Sequence, residues 1–315
     1  MTGDDANFEG SQERSIPFRI GICLLNLIQP GLGFVRISRF RAAFAVIGAS
    51  VLTFAGLVAF YAFADELSAS WFMGAVGTAL AILLLTYVAS IALTWRWSKT
   101  LAAHPHWLAQ WYGIVGLWAL LQAMLWPAQD LARSFYHPYY APSESMAPAI
   151  EQTDRFVAHM RDYGPLKRGD VVIVRTRNGQ EWVKRVAAIP GDRIAMRGGQ
   201  VLLNGTIITQ RKVGSETRSR AGASPEMVTR LQEQFPGEVR PHEVLDTGSF
   251  EWDDTDEIAL GTDQYFLLGD NRDNSVDSRQ GDLLDGLGVV KREQITGRAL
   301  FRYWRSNLGL ASAPL

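Results

Sequence analysis

The sequence predicts a helical membrane anchor joined to a mostly β extracytoplasmic domain, and three observations carry that prediction. Nearly all the long apolar runs lie before position 127. From about Tyr140 the pattern changes to short strand-like runs separated by turn residues. Basic residues gather in the loops on one side of the apolar runs, which orients the bundle.

Residues 1–17 form a polar tail, and residues 18–139 form the membrane domain. The stretch 18–35 is apolar, but Arg19 lies near its start and Gln29-Pro30-Gly31-Leu32-Gly33 breaks any helix in its middle, so it reads as interfacial or re-entrant. Residues 42–64 and 71–95 hold no charge and exceed the roughly 20 residues needed to cross the hydrocarbon core. Residues 107–126 form a third span, interrupted by Gln110 and Gln122 and carrying Trp or Tyr near both ends. Arg36, Arg39 and Arg41 precede the first long span, and Arg96 and Lys99 follow the second, which places those loops in the cytoplasm. The Asp65-Glu66 turn and everything after the third span then lie outside. No charge sits inside a span, so the bundle reads as an anchor and not a transporter.

Residues 140–315 read as β-rich. Strands at 171–175 and 181–189 flank Asn178-Gly179, and a second hairpin signal, Asn204-Gly205, follows Val201-Leu202-Leu203. Further strands are expected at 264–268 and 298–304. The polar stretch 210–262 reads as an insertion with a short helix around 225–235. A formal net charge of −1 gives no sign of nucleic-acid binding, and the single Cys23 excludes a disulfide framework or a cysteine metal cluster.

The chemistry narrows by elimination. The outer half holds only His137, His159 and His242, none in a recognisable partner motif for a serine or cysteine nucleophile, and no closely spaced zinc-ligand set. Serine with lysine remains. Pro142-Ser143-Glu144-Ser145-Met146-Ala147-Pro148 is a proline-bounded extended segment that can turn two hydroxyls to one side. In Glu181-Trp182-Val183-Lys184-Arg185-Val186-Ala187, period-two alternation sets Lys184 on the apolar face of Trp182 and Val186, where burial lowers an amine's pKa.

These segments resemble the ordered boxes of bacterial type I signal peptidases. PSESMAP resembles the nucleophile box, Lys167-Arg168-Gly169-Asp170-Val171-Val172 the next strand box, WVKRVAAIPGD (182–192) the lysine box, and GDNRDNSVDSR (269–279) the last. The resemblance spans about 143–279 and leaves the helical bundle uncovered. It implies a signal-peptidase-like β fold and a serine endopeptidase that removes signal peptides from exported preproteins. Ser145 would be the nucleophile and Lys184 the general base, with the Ser143 hydroxyl and the Ser145 N–H forming the oxyanion hole. Ser275 would hydrogen-bond the Lys184 amine, Asp277 and Arg279 would hold the last loop, and Asp270 would pair with Arg185. Ala141, Met146 and Val183 would line pockets selecting small residues at the first and third positions before the cut. The substrate would add as an extended strand.

The resemblance implies no cofactor and no metal. Its partners are preproteins with signal peptides, the lipid bilayer and the protein export machinery, with no nucleic acid. Its location is the bacterial plasma (inner) membrane, multi-pass, with the catalytic domain on the periplasmic or extracytoplasmic side. Three departures stand out: Ala141 in place of a larger aliphatic residue, Glu144 between the serines and expected to face solvent, and altered lengths at 210–262 and 280–288. Two other readings are a dedicated processing peptidase of a secretion or conjugation system and a catalytically silent membrane scaffold. The intact serines and lysine argue against the second.

Overall fold

The structure, a computed structural model, describes residues 15–63, 69–99, 106–161, 164–218, 224–248, 250–281, 286–305 and 308–315. The Asp65-Glu66 turn and most of the polar tail lie outside them. The chain divides into two compact units, one carrying the helices as far as Arg133 and one holding the chain from Ser134.

The first unit contains α1 (Ile16–Ile28), α2 (Leu32–Arg36), α3 (Phe40–Phe63), α4 (Ala69–Trp97) and α5 (Trp111–Phe135). Two stretches, Phe40–Phe60 and Met73–Trp97, are long and apolar enough to cross a membrane. Leu52, Leu85 and Trp111 are 73%, 70% and 75% exposed, a presentation suited to lipid and costly in water. The third expected span differs from its sequence reading. Residues 107–109 make a 3-10 turn, the helix starts at Trp111, and it runs through Pro127 to Phe135, so it is long but less apolar than the other two.

The break between α1 and α2 falls at Gln29, Pro30 and Gly31, with Gly31 at φ +100°. Asn26 closes it. Its Oδ1 accepts from the amides of Gly31 (3.0 Å) and Gly33 (3.1 Å), while its Nδ2 donates to Thr94 Oγ1 on α4 (3.0 Å). These bonds satisfy backbone amides that the break sets free where no water can reach them.

The second unit is β. In chain order its strands are β1 (Tyr136–Tyr140), β2 (Arg155–His159), β3 (Val171–Arg175), β4 (Glu181–Ala188), β5 (Arg193–Arg197), β6 (Gln200–Leu203) and β7 (Thr206–Ile207). They continue with β8 (Arg211–Arg218), β9 (Glu226–Glu233), β10 (His242–Asp246), β11 (Ile258–Ala259), β12 (Gln264–Leu268), β13 (Val290–Lys291), β14 (Ile295–Arg305) and β15 (Gly309–Pro314). The main sheet runs β1-β2-β14-β3-β4-β12-β13, with β15 also paired to β14, and every pairing is antiparallel. Bulges in β14 and between Phe266 and Leu267 bend it.

β3 reads Val-Val-Ile-Val because both its faces are covered. Val172 and Val174 pack with Val186, Leu267 and Ile295, whereas Val171 and Ile173 pack with Ala141, Met146 and Phe156. The Asn204-Gly205 signal holds as a two-residue turn with both φ positive. Asn178-Gly179 falls in a five-residue connection closed by Thr176 N–H to Gln180 O (2.8 Å).

Two expectations are corrected. The β domain begins at Tyr136, where β1 pairs with β2, and not near Tyr140. The helix expected around 225–235 is strand β9, flanked by β8 and β10 in a three-stranded sheet. Met227, Leu231 and Gln232 favour helices locally, but pairing on both sides and burial of Val228 and Glu233 prevail.

Candidate active site

The segment 141–150 enters the β domain as a tight loop pinned at both ends. Ala141 N–H donates to Asp154 O (3.0 Å), Thr153 N–H donates to Ala141 O (2.8 Å), and Ile150 N–H donates to Met146 O (2.8 Å). Its centre is held from the other side by the 269–279 loop. Asn271 donates its backbone N–H to Ser145 O (3.1 Å) and its Nδ2 to Glu144 O (3.1 Å). Ser145 and Glu144 are therefore held by one main-chain and one side-chain bond from a segment more than a hundred residues away.

Lys184 reaches this loop from β4, where it pairs with Val172 of β3. It is 3% exposed, and its Nζ donates to Ser145 Oγ at 3.0 Å. The Trp182 ring lies on the same side, 5.7 Å from Nζ to the ring centre. Burial pushes the Lys184 pKa down to about 8, Arg279 adds to the push, and Asp277 and Asp270 oppose it. An amine so placed is a hydrogen-bonded base beside a hydroxyl. Ser143 Oγ donates to Ser145 Oγ at 3.4 Å, which sets the second hydroxyl next to the first.

The structure places the remaining sequence-selected residues around this pair. Ala141, Met146 and Val183 share one apolar cluster, the first two buried. Arg185, on the alternate face of β4, makes a bidentate pair with Asp270 (2.8 and 2.7 Å). Asp277 accepts from Arg279 Nε (2.9 Å) and from Gly269 N–H (3.0 Å).

Ser275 departs from expectation. Its hydroxyl is buried without a hydrogen bond, so the bond expected to the Lys184 amine is not formed. The hydroxyl instead occupies the space that Gly269 leaves open, since a Cβ on Gly269 would sit 2.0 Å from Ser275 Oγ and 2.6 Å from Ser145 O. Gly269→Ala should therefore cost about 1–3 kcal/mol and lower kcat several-fold, read by melting and preprotein cleavage. Wild-type values in both would refute the close approach.

Glu144, expected to face solvent, is half-buried and borders a cleft with Gln152, Arg218 and Arg240, and the charges acting on Lys184 come from Asp277, Arg279 and Asp270. Sequence reasoning missed a further group. Arg272 of the 269–279 loop meets Glu233, and His242 sits between Glu233 and Glu238. Among the described residues no group of His, Cys, Asp and Glu could hold a metal ion.

A family model described as "Signal peptidase, peptidase S26" matches residues 111–304. Signal peptidase I of Bacillus amyloliquefaciens is 27% identical over 180 residues, covering 56% of this chain and 81% of that protein. Signal peptidase I P of Bacillus subtilis subsp. natto is 32% identical over 174 residues, covering 53% and 77%. The crystal structure of a signal peptidase I from Enterococcus faecalis V583 is 23% identical, covers 43% of this chain and 97% of that one, and aligns with a TM-score of 0.24.

Proposed function

The chain belongs to the signal peptidase family, peptidase S26, and we propose that it removes signal peptides from exported preproteins as a membrane-anchored serine endopeptidase using Ser145 and Lys184. The observation that carries this reading is the 3.0 Å contact between the buried Lys184 amine and Ser145 Oγ. As the Ser145 oxygen attacks the scissile carbonyl, neutral Lys184 takes its proton, and the new oxyanion is held by the Ser143 hydroxyl and the Ser145 N–H. The resulting ammonium gives the proton to the leaving amine, which departs and leaves the acyl group on Ser145. A water then attacks that ester with Lys184 again as base.

The apolar cluster of Ala141, Met146 and Val183 supports selection of small side chains beside the cut. The two long apolar helices support anchorage in the plasma membrane, and the basic loops support an extracytoplasmic β domain. Shared confinement with a membrane-tethered substrate raises the local concentration of the cleavage site.

The test is a pH profile of kcat/KM on a preprotein in detergent. Lys184 acts only when neutral, so activity should rise about tenfold per pH unit below about 8 and level off above it. A flat profile between pH 6 and 9 would sink the assignment of Lys184 as base.

A further inference from the structure

The inserted strands are not an ornament on the core. Sheet β8-β9-β10 is stitched to the 269–279 loop at three points. Leu245 N–H donates to Asp270 O (2.8 Å). Thr247 donates its N–H (2.7 Å) and its hydroxyl (2.8 Å) to Asp273 Oδ2. Glu233, at the end of β9, accepts from both terminal guanidinium nitrogens of Arg272, Nη1 at 3.2 Å.

Glu233 is itself fixed. His242 on β10 faces Glu233 Oε1 through Nε2 (3.1 Å) and Glu238 Oε1 through Nδ1 (2.9 Å). A neutral ring can donate from only one nitrogen, so carboxylates at both ends call for the imidazolium. Burial and Arg185 push the ring's pKa down, while Glu233, Glu238 and Asp270 outweigh them and leave it raised. The charged groups facing this ring are therefore Glu233 from β9, Glu238 from the loop before β10, Arg185 from β4 and Asp270 from the 269–279 loop, with Arg272 on the far side of Glu233.

Arg272 passes the constraint on. Its Nε donates to Gly269 O (3.3 Å), its own carbonyl accepts from Arg279, and Arg279 holds Asp277. Its neighbour Asn271 supplies the two bonds that fix Glu144 and Ser145.

We propose that Glu233 is a positioning residue for catalysis, through which the inserted sheet holds the 269–279 loop, and by it the Ser145 carbonyl beside Lys184, in place. The proposal rests on Ser145 and Lys184 being the reacting pair. Glu233 is 2% exposed and so acts through its neighbours, not on substrate.

The experiment uses the full chain in detergent, with a preprotein carrying alanine at the first and third positions before the cut. Three variants are compared with wild type: Glu233→Gln, Glu233→Asp and Thr247→Val, with the folded fraction read by circular dichroism at the assay temperature. In Glu233→Gln, kcat should fall about tenfold or more, the scale on which small misplacements act, with KM within about twofold. Because burial is what lowers the Lys184 pKa, admitting water should also move the acid limb of the rate profile upward by about half a unit or more. Glu233→Asp should recover most of kcat, and Thr247→Val, which loses one anchor, should lose about threefold to fivefold.

An unchanged kcat and limb in folded Glu233→Gln overturns the proposal, as does a kcat loss no larger than the loss of folded protein. If Glu233→Gln does not fold, wild-type kcat in Thr247→Val overturns it. Failure of the underlying pair shows separately, as cleavage by Lys184→Ala.

Discussion

Ser145→Ala and Lys184→Ala should each lower kcat/KM for preprotein cleavage by about 10⁴-fold or more, since on the proposed mechanism each removes a member of a pair that acts as a unit. Lys184→Met should go further, being equally inactive and also more heat-stable. The sign follows from the two pKa values. Unfolded, the amine titrates near its ordinary 10.5, and folded it titrates at about 8. Below about pH 8 both states are protonated and the full penalty of burying the ammonium is present. Between 8 and 10.5 the unfolded chain binds more protons, so stability climbs, and above 10.5 the penalty is gone.

The difference corresponds to about 3 kcal/mol, from which the lost bond to Ser145 takes about 1. At pH 7, Lys184→Met should then melt about 4–8 °C higher than wild type, an advantage that shrinks toward pH 10. A lower melting temperature for Lys184→Met at pH 7 would contradict the account of Lys184 as a destabilising buried base.

The second large effect concerns Arg185. It is 4% exposed, cannot shed its proton, and has Asp270 as its close carboxylate, with Gly169 O at 2.7 Å and Glu238 at 3.9 Å. Asp270→Ala strands that charge and should cost about 3–5 kcal/mol, lowering the melting temperature by at least about 6 °C. Exchanging both partners for apolar side chains, Arg185→Met with Asp270→Leu, should restore most of the loss, because the penalty lies in the orphaned charge. A loss under about 1 kcal/mol in Asp270→Ala would show that water reaches Arg185.

What could be read from the sequence was whatever a local pattern encodes. The β3 and β4 strands stood out through their apolar runs and alternation, and Lys184 through its place between Trp182 and Val186. The serines stood out through their spacing within a proline-bounded segment and through the resemblance.

What was hidden depends on pairing at a distance. His242 showed no motif because its carboxylates come from the end of a strand and from a loop before it, and Arg272 meets Glu233 across a separation of 39 residues. β9 was misread because its residues favour a helix until two neighbours claim their backbone groups. Ser275 was misplaced because its hydroxyl follows the missing side chain of Gly269, which no spacing rule conveys. The α1–α2 break was legible from Pro30 and Gly31, but the Asn26 bonds that close it were not.

The five-residue connection between β3 and β4 has a bearing on chemistry far from where it sits. Lys184 and Arg185 are consecutive, and the pleat sends one toward Ser145 and the other toward Asp270. A frame error of one position along β4 would exchange them. The serine would then face a guanidinium that can never accept its proton, and Asp270 would hold an amine that has no work to do. Residues 176–180 thus decide by counting which cation faces Ser145.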